Sequence, residues 1–285
     1  METLIDEDVG NIISLEHVNV QVPDQLLAIL FYVGGLGLTR DPFLNIGLNN
    51  MWINAGEQQF HLPTRSAQVI HGHIALVVPE LEALGKRLAS IEPGLRGTRF
   101  AWSMNENYIA VTCPWGNRFR CYAAGAQFGD MTLGIPYVEF LVAPGTARAI
   151  VQFYQEALAA TSSTESDDAG VIGCVKIGRN QFLRFRETGE PIPPYDGHHV
   201  AIYVANFSHP YRWLKDRELI TEEVRNHQFR FCKLVDPASG NPVFSVEHEV
   251  RSLHHPMFHR NLINRDPNQS QRAYRRGHDG FIPFQ

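Results

Sequence analysis

Hydrophobic and polar residues follow two recurring periods along the first half of the chain. Alternation of period two indicates strands, and a period near 3.6 residues indicates helices. The predicted order is strand, helix, strands, repeated once, over residues 15–22, 25–32, 51–62, a run from 73, 81–91 and 100–122. Asp24 is placed to cap the first helix. The first half therefore contains two similar strand-helix-strands modules.

The second half repeats this order. Its predicted strands and helices cover residues 137–142, 146–158, 171–185, a run from 199, 211–217 and 229–250. His73 and His199 each open a run of branched apolar residues, which is typical of a buried strand. Phe153-Tyr154 occupies the place in its helix that Phe31-Tyr32 occupies in the first. These echoes predict two related halves.

Domain boundaries follow from these patterns. We predict an acidic lead-in over residues 1–13, a first domain over 14–124, a linker over 125–134, a second domain over 135–250 and an irregular, His- and Arg-rich tail over 251–285. A length of 285 residues fits two domains of ordinary size.

Composition narrows the class of protein. A hydrophobic content of 44% with 19% charged residues is typical of a globular chain, and a net charge of −5 gives no general attraction to nucleic acid. No apolar run reaches the roughly 18 residues of a membrane span. The four cysteines form no CxxC pair, which favours reduced thiols. We therefore expect a cytoplasmic protein without nucleic-acid or membrane partners.

Several short segments, in the same order in both halves, resemble the βαβββ modules of the vicinal oxygen chelate superfamily, which includes glyoxalases, extradiol dioxygenases and bleomycin-resistance proteins. The resemblance covers roughly residues 14–250. Its segments are His17-Val-Asn-Val, Phe31-Tyr32, Gln59-Phe-His61-Leu, His73-Ile-Ala-Leu, Pro114-Trp-Gly-Asn117, Glu139, Phe153-Tyr154, His199-Val-Ala-Ile, Asp236-Pro237 and Gly240-Asn241 before Glu247. It implies an α+β fold with four modules forming two half-open barrel domains. It also implies one candidate metal site per half, with ligands on the first and last strands of each module.

In the second half, the resemblance implies a metal site of Glu139, His199 and Glu247. Glu139 stands 14 residues before Phe153, as His17 stands 14 residues before Phe31. Glu249 shares a strand face with Glu247, so either carboxylate can be the ligand. The alternative is that the two glutamates are solvated strand residues and His199 is a hydrogen-bonded core histidine.

The last-strand position of the third module falls near Leu183, which cannot bind a metal, and Gln181 is its substitute.

In the first half, the resemblance implies a site of His17, His61 and His73. The fourth position is Arg120, where the family usually has a carboxylate, and a cation there would repel a divalent ion. Three imidazoles can still hold a metal. The alternative is a vestigial site whose histidines only pack and form hydrogen bonds.

The function implied by this resemblance is that of a divalent-metal-dependent enzyme with Fe, Zn, Ni or Mn. It would act as a lyase, isomerase or dioxygenase on a small molecule with two adjacent oxygens, and Glu247 and Glu249 are the candidate catalytic groups for proton transfer. The alternative is a non-catalytic binding protein of bleomycin-resistance type with an aromatic cleft. Its candidate lining residues are Trp52, Trp102, Trp115, Phe119 and Trp213. A homodimer is a further prediction.

Overall fold

The structure is a computed structural model, and it describes residues 8–44, 49–225, 227–266 and 272. Predicted features of the outermost tail, like most of the lead-in, lie outside the described residues. In the described part of the chain, no helix has the length and apolar character needed to cross a membrane.

The described residues form the four modules from sixteen strands and four α-helices. The strands are β1 Ile12–Asn19, β2 Thr39–Arg40, β3 Asn50–Ala55, β4 Gln58–Pro63, β5 Gly72–Val78, β6 Ala101–Met104, β7 Ile109–Thr112, β8 Arg118–Ala123, β9 Tyr137–Val142, β10 Ser162–Asp167, β11 Gly170–Gly178, β12 Gln181–Glu187, β13 His199–Val204, β14 Ile220–Val224, β15 Gln228–Val235 and β16 Pro242–Ser252. The helices are α1 Gln25–Ala28, continued by a π-helix over Ile29–Gly35, α2 Leu81–Ile91, α3 Ala147–Leu158 and α4 Ser208–Lys215. Each module is therefore βαβββ, which confirms the predicted α+β class.

The strands form two eight-stranded sheets. The first has the order β14-β15-β16-β13-β1-β4-β3-β2, and the second has the order β10-β11-β12-β9-β5-β8-β7-β6. In the first, second and fourth modules, the first strand pairs in parallel with the last. Such a parallel pair requires a crossover, which the helix of each module supplies.

The sheet order shows on which sheet each candidate ligand lies, and the expectation of one site per half stays a prediction. The first sheet contains the strands of the first and fourth modules, and the second contains those of the second and third. The sequence repeat identifies modules, but modules of the same pattern can pair in more than one order. His73 on β5 and Glu139 on β9 consequently lie on the second sheet, whereas His17, His61 and His199 lie on the first.

The chain divides into two compact units. One comprises residues 17–138 and the chain after residue 260, and the other comprises the chain up to residue 16 and residues 139–260. The predicted domains over 14–124 and 135–250 remain a prediction.

Aromatic side chains fill the core of each unit. In one, the rings of Tyr32 and Phe60 lie 5.2 Å apart, and those of Phe31 and Phe119 lie 5.6 Å apart. In the other, the rings of Phe153 and Phe231 lie 5.8 Å apart. Full burial of each ring contributes a few kcal/mol of hydrophobic stabilisation. The repeated Phe-Tyr pair of the sequence is therefore a core feature.

Two local features place the strands of the first module. The Asp24 carboxylate accepts hydrogen bonds from the backbone N–H groups of Leu26 and Leu27, which confirms the predicted cap. Gly56 forms the turn between β3 and β4 with a φ of +68°. A Cβ atom there would lie 1.9 Å from the carbonyl oxygen of Leu133, so only glycine fits.

Candidate metal centre

Two imidazoles lie close together on β1 and β4. His17 faces Gln59 in the parallel register, and Asn19 faces His61, so His17 and His61 occupy successive rows of the same sheet face. Their rings are perpendicular, with centroids 5.6 Å apart. His17 is buried and His61 is half-buried. This spacing allows one nitrogen from each ring to approach a common point.

Neighbouring side chains orient His61. Its Nε2 lies 2.6 Å from Oδ1 of Asn50, and because a carbonyl oxygen only accepts, Nε2 carries the proton. Nδ1 is then the nitrogen with the lone pair that a metal needs. The indole of Trp52 stacks on the imidazole at 4.0 Å with an interplanar angle of 12°. A hydrogen bond and a stacking contact of this kind fix a ligand's tautomer and ring orientation.

His199 opens β13 as the sequence predicts, and two glutamates of β16 face it. His199 pairs in register with Glu247, and its Nδ1 lies 3.4 Å from Glu247 Oε1. Its Nε2 lies 3.8 Å from Oε2 of Glu249. Glu247 is half-buried and Glu249 is buried. One carboxylate therefore approaches each ring nitrogen.

Each unit thus has its own group of side chains of the types that first-row divalent metals favour. One group is His17 and His61, and the other is His199 with Glu247 and Glu249. Imidazole nitrogens bind Zn²⁺ at about 2.0–2.1 Å, so small side-chain adjustments would bring a nitrogen of His17 and a nitrogen of His61 to one ion.

The strand register selects the carboxylate that corresponds to His61. His61 lies opposite Asn19, two residues beyond His17. In the fourth module, the residue opposite Ala201, two residues beyond His199, is Glu249. Glu249 thus has the position in its module that His61 has in the first, whereas Glu247 lies level with His199 itself.

Two arginines neutralise these glutamates. Arg230 Nη1 lies 2.8 Å from Glu247 Oε1, and its Nη2 donates to Glu249 Oε2. Arg251 Nε donates to Glu249 Oε1 at 2.6 Å, and its Nη1 lies 3.0 Å from a Glu16 oxygen. Burial raises the pKa of Glu247, and the Arg230 guanidinium opposes part of that rise. Such pairing is what keeps buried carboxylates ionised.

The other two predicted ligands, His73 and Glu139, lie beside polar neighbours on the second sheet. His73 Nε2 lies 3.1 Å from the hydroxyl of Tyr137, which in turn lies 2.9 Å from the hydroxyl of Tyr122. Glu139 forms an ion pair with Arg186 at 3.4 Å. The predicted grouping of both residues with the other ligands stays a prediction.

The remaining residues of interest on the second sheet serve other roles. The guanidinium of Arg120 lies 5.3 Å from the ring centroid of Tyr108. Leu183 is buried in the core, and the Gln181 side chain accepts a hydrogen bond from the backbone N–H of Leu15.

Sequence reasoning missed Asn50, Arg230 and Arg251. Each of these residues holds a candidate site residue by a hydrogen bond, and only the strand register shows which residue is held. Arg230 lies opposite Glu249 in the β15–β16 pairing, and this pairing includes register shifts that no sequence period reveals.

Solved structures supply the comparison that decides the fold. No family model matches the sequence, and no curated protein matches it. Glyoxalase I from Zea mays superposes with a TM-score of 0.59 at 14% identity, over 83% of this chain and 92% of that one. A candidate dioxygenase from Bacillus subtilis subsp. subtilis str. 168 gives a TM-score of 0.54 at 12% identity, over 86% of each chain.

The chain has the vicinal oxygen chelate fold. The predicted resemblance is thereby confirmed for the architecture. Since one fold supports many reactions, its chemistry has to be argued from the site.

Proposed function

We propose that the protein is a divalent-metal-dependent enzyme of the glyoxalase or dioxygenase type. The observation that carries this proposal is the perpendicular pair of imidazoles of His17 and His61, whose ring centroids lie 5.6 Å apart. In the other unit, Glu249 is a proposed ligand beside His199, because it corresponds in register to His61 and lies 3.8 Å from His199 Nε2. The other members of the two predicted sets stay predictions.

The donor chemistry fits a divalent ion. Asn50 fixes the tautomer of His61, and the Glu247 carboxylate beside Nδ1 of His199 favours a proton there, which leaves Nε2 as the donor nitrogen. Fe(II), Zn(II), Ni(II) and Mn(II) all accept nitrogen and carboxylate ligands, so the metal's identity is a matter for measurement.

The proposed reaction class is lyase, isomerase or dioxygenase chemistry on a small molecule with two adjacent oxygens. A bound divalent ion would supply a Lewis acid for those two oxygens.

Glu247 is the proposed proton-transfer group. Its carboxylate lies in the site next to His199, and burial raises its pKa towards the range where a carboxylate accepts a proton efficiently. Arg230 holds this carboxylate in place through the 2.8 Å hydrogen bond. In this arrangement Glu249 binds metal and Glu247 moves the proton.

Metal content tests the proposal. Untagged protein purified anaerobically should contain about one divalent ion per chain by elemental analysis. His17→Ala and His61→Ala should each lower that content to near zero while the circular dichroism spectrum is retained. His254→Gln is the matched control, since His254 is an exposed histidine outside the group, and it should keep full occupancy.

An absence of metal in wild-type protein would instead support the alternative, a binding protein of bleomycin-resistance type. A small molecule is the proposed ligand in both cases. The cytoplasmic location and the homodimer remain predictions.

A further inference from the structure

Asn19, His61 and Trp52 lie in one row across the first sheet. Asn19 on β1 is directly opposite His61 on β4, and His61 is directly opposite Trp52 on β3. Residues opposite each other in paired strands point to the same sheet face. An amide and an indole therefore flank the imidazole that we assign to the metal.

Each of the two flanking side chains has a buried polar atom that lacks a hydrogen bond. Among the residues that the structure describes, none donates to Oδ1 of Asn19 and none accepts from Nε1 of Trp52. Asn19 is only 2% exposed and Trp52 only 6%. Buried polar groups are paired in the great majority of cases, and an unpaired one opposes folding. One such atom is an exception to be explained, and two in one row beside a candidate metal ligand indicate a shared cause.

Folding does not require either polar atom. Phenylalanine would stack on His61 as the Trp52 indole does, and leucine has the same branched arrangement of side-chain heavy atoms as Asn19 without an unpaired oxygen. Residues that oppose stability in this way are expected where binding requires them.

We propose that Asn19 and Trp52 form a polar subsite that receives a neutral substrate group with one hydrogen-bond donor and one acceptor. The donor would meet Oδ1 of Asn19, and the acceptor would meet Nε1 of Trp52. Neither side chain carries a charge, so the group is an amide, hydroxamate or hydroxyl and not a carboxylate or phosphate. This proposal rests on the proposed function, since the substrate's two adjacent oxygens are held by the metal next to this row.

Two hydroxamates test the subsite. Both acetohydroxamic acid and its N-methyl derivative chelate a metal through two adjacent oxygens, but only the first has an N–H to donate. Protein loaded with Co(II) should be titrated with each, and binding followed by the cobalt absorption bands. Asn19→Leu should weaken acetohydroxamic acid about five- to tenfold, the worth of one hydrogen bond, and change the N-methyl derivative less than about twofold.

Trp52→Phe should weaken both hydroxamates by a similar factor, because both present an oxygen acceptor. Trp102→Phe is the matched control, since Trp102 is on β6 of the second sheet, and it should leave both affinities unchanged. Cobalt stoichiometry should be the same in all these proteins.

Thermal unfolding without a probe gives an independent readout. Asn19→Leu should keep or raise the melting temperature, because it removes an unpaired buried oxygen. Unchanged hydroxamate affinities in Asn19→Leu and Trp52→Phe, with cobalt bound, would overturn the subsite alone. Failure of wild-type protein to bind cobalt would overturn the proposed function and the subsite with it. A large fall in melting temperature for Asn19→Leu, without weaker binding, would overturn the subsite and assign Asn19 a structural role.

Discussion

At the scale of single residues, His248 and His199 show how neighbours decide what an imidazole does. Nδ1 of His248 donates to the carbonyl oxygen of Val246 at 2.9 Å, and its Nε2 accepts from the Tyr154 hydroxyl at 2.7 Å. Its ring stacks on Phe231 at 4.5 Å. Both ring nitrogens of His248 therefore have hydrogen-bond partners within the core. His199 instead has one carboxylate beside each ring nitrogen, at 3.4 Å and 3.8 Å.

The burial of His248 predicts a dependence of stability on pH. Burial lowers its pKa to about 4, from 6.5 in the unfolded chain. The unfolded state therefore takes up the proton first, and the free energy of unfolding should fall as the pH falls from about 6.5 to 4. The full effect of this group is on the order of 3 kcal/mol.

Urea unfolding of wild-type protein and His248→Phe at several pH values would measure this effect. The variant should be less stable at pH 7, because Tyr154 loses its partner, but its stability should depend less steeply on pH. Equal slopes between pH 6.5 and 4 would show that His248 is not the source of the dependence.

At the scale of elements, the β3–β4 hairpin carries Asn50, Trp52 and His61, and its turn at Gly56 holds the two strands in register. Gly56→Ala should lower the free energy of unfolding by more than about 2 kcal/mol, because the left-handed backbone and the contact with Leu133 both oppose a Cβ atom.

The control for this substitution is Gly97→Ala. Gly97 also has a positive φ, +81°, but a Cβ atom there would meet none of the described residues within 4 Å, so the cost should be only about 1 kcal/mol. Denaturant titration of the two variants would compare them. A similar loss in both would mean that the Leu133 contact is unimportant.

The sequence predicted the strands and helices of each module better than it predicted which modules pair in a sheet. The 14-residue offsets from His17 to Phe31 and from Glu139 to Phe153 identify equivalent modules, and both predicted first-strand positions lie on first strands. The offsets contain no information on which module pairs with which. The grouping of Glu139 on β9 with His199 on β13 therefore stays a prediction.

At the scale of the whole chain, contacts between distant segments complete the fold. The Asn264 side chain donates to the Gly56 carbonyl oxygen at 2.8 Å and accepts from the Gly56 N–H at 3.0 Å. Asn54 donates to the carbonyl oxygen of Ile263 at 2.8 Å. This part of the predicted irregular tail therefore stabilises the hairpin that carries His61.

Asn264→Ala should lower the free energy of unfolding by about 1–3 kcal/mol, because Asn264 is only 2% exposed and two backbone groups lose their partners. Asn261→Ala, at an exposed position of the same segment, should change it by less than about 0.5 kcal/mol. Thermal and denaturant unfolding would test the pair, and an equal effect of both substitutions would exclude this role of Asn264.

The proposed binding of a divalent ion by His17 and His61 can be observed by anomalous diffraction from crystals of zinc-loaded, untagged protein. We expect a strong peak about 2.0–2.2 Å from a nitrogen of each of these histidines. Crystals with no ordered zinc at His17 and His61 would contradict the proposed metal centre.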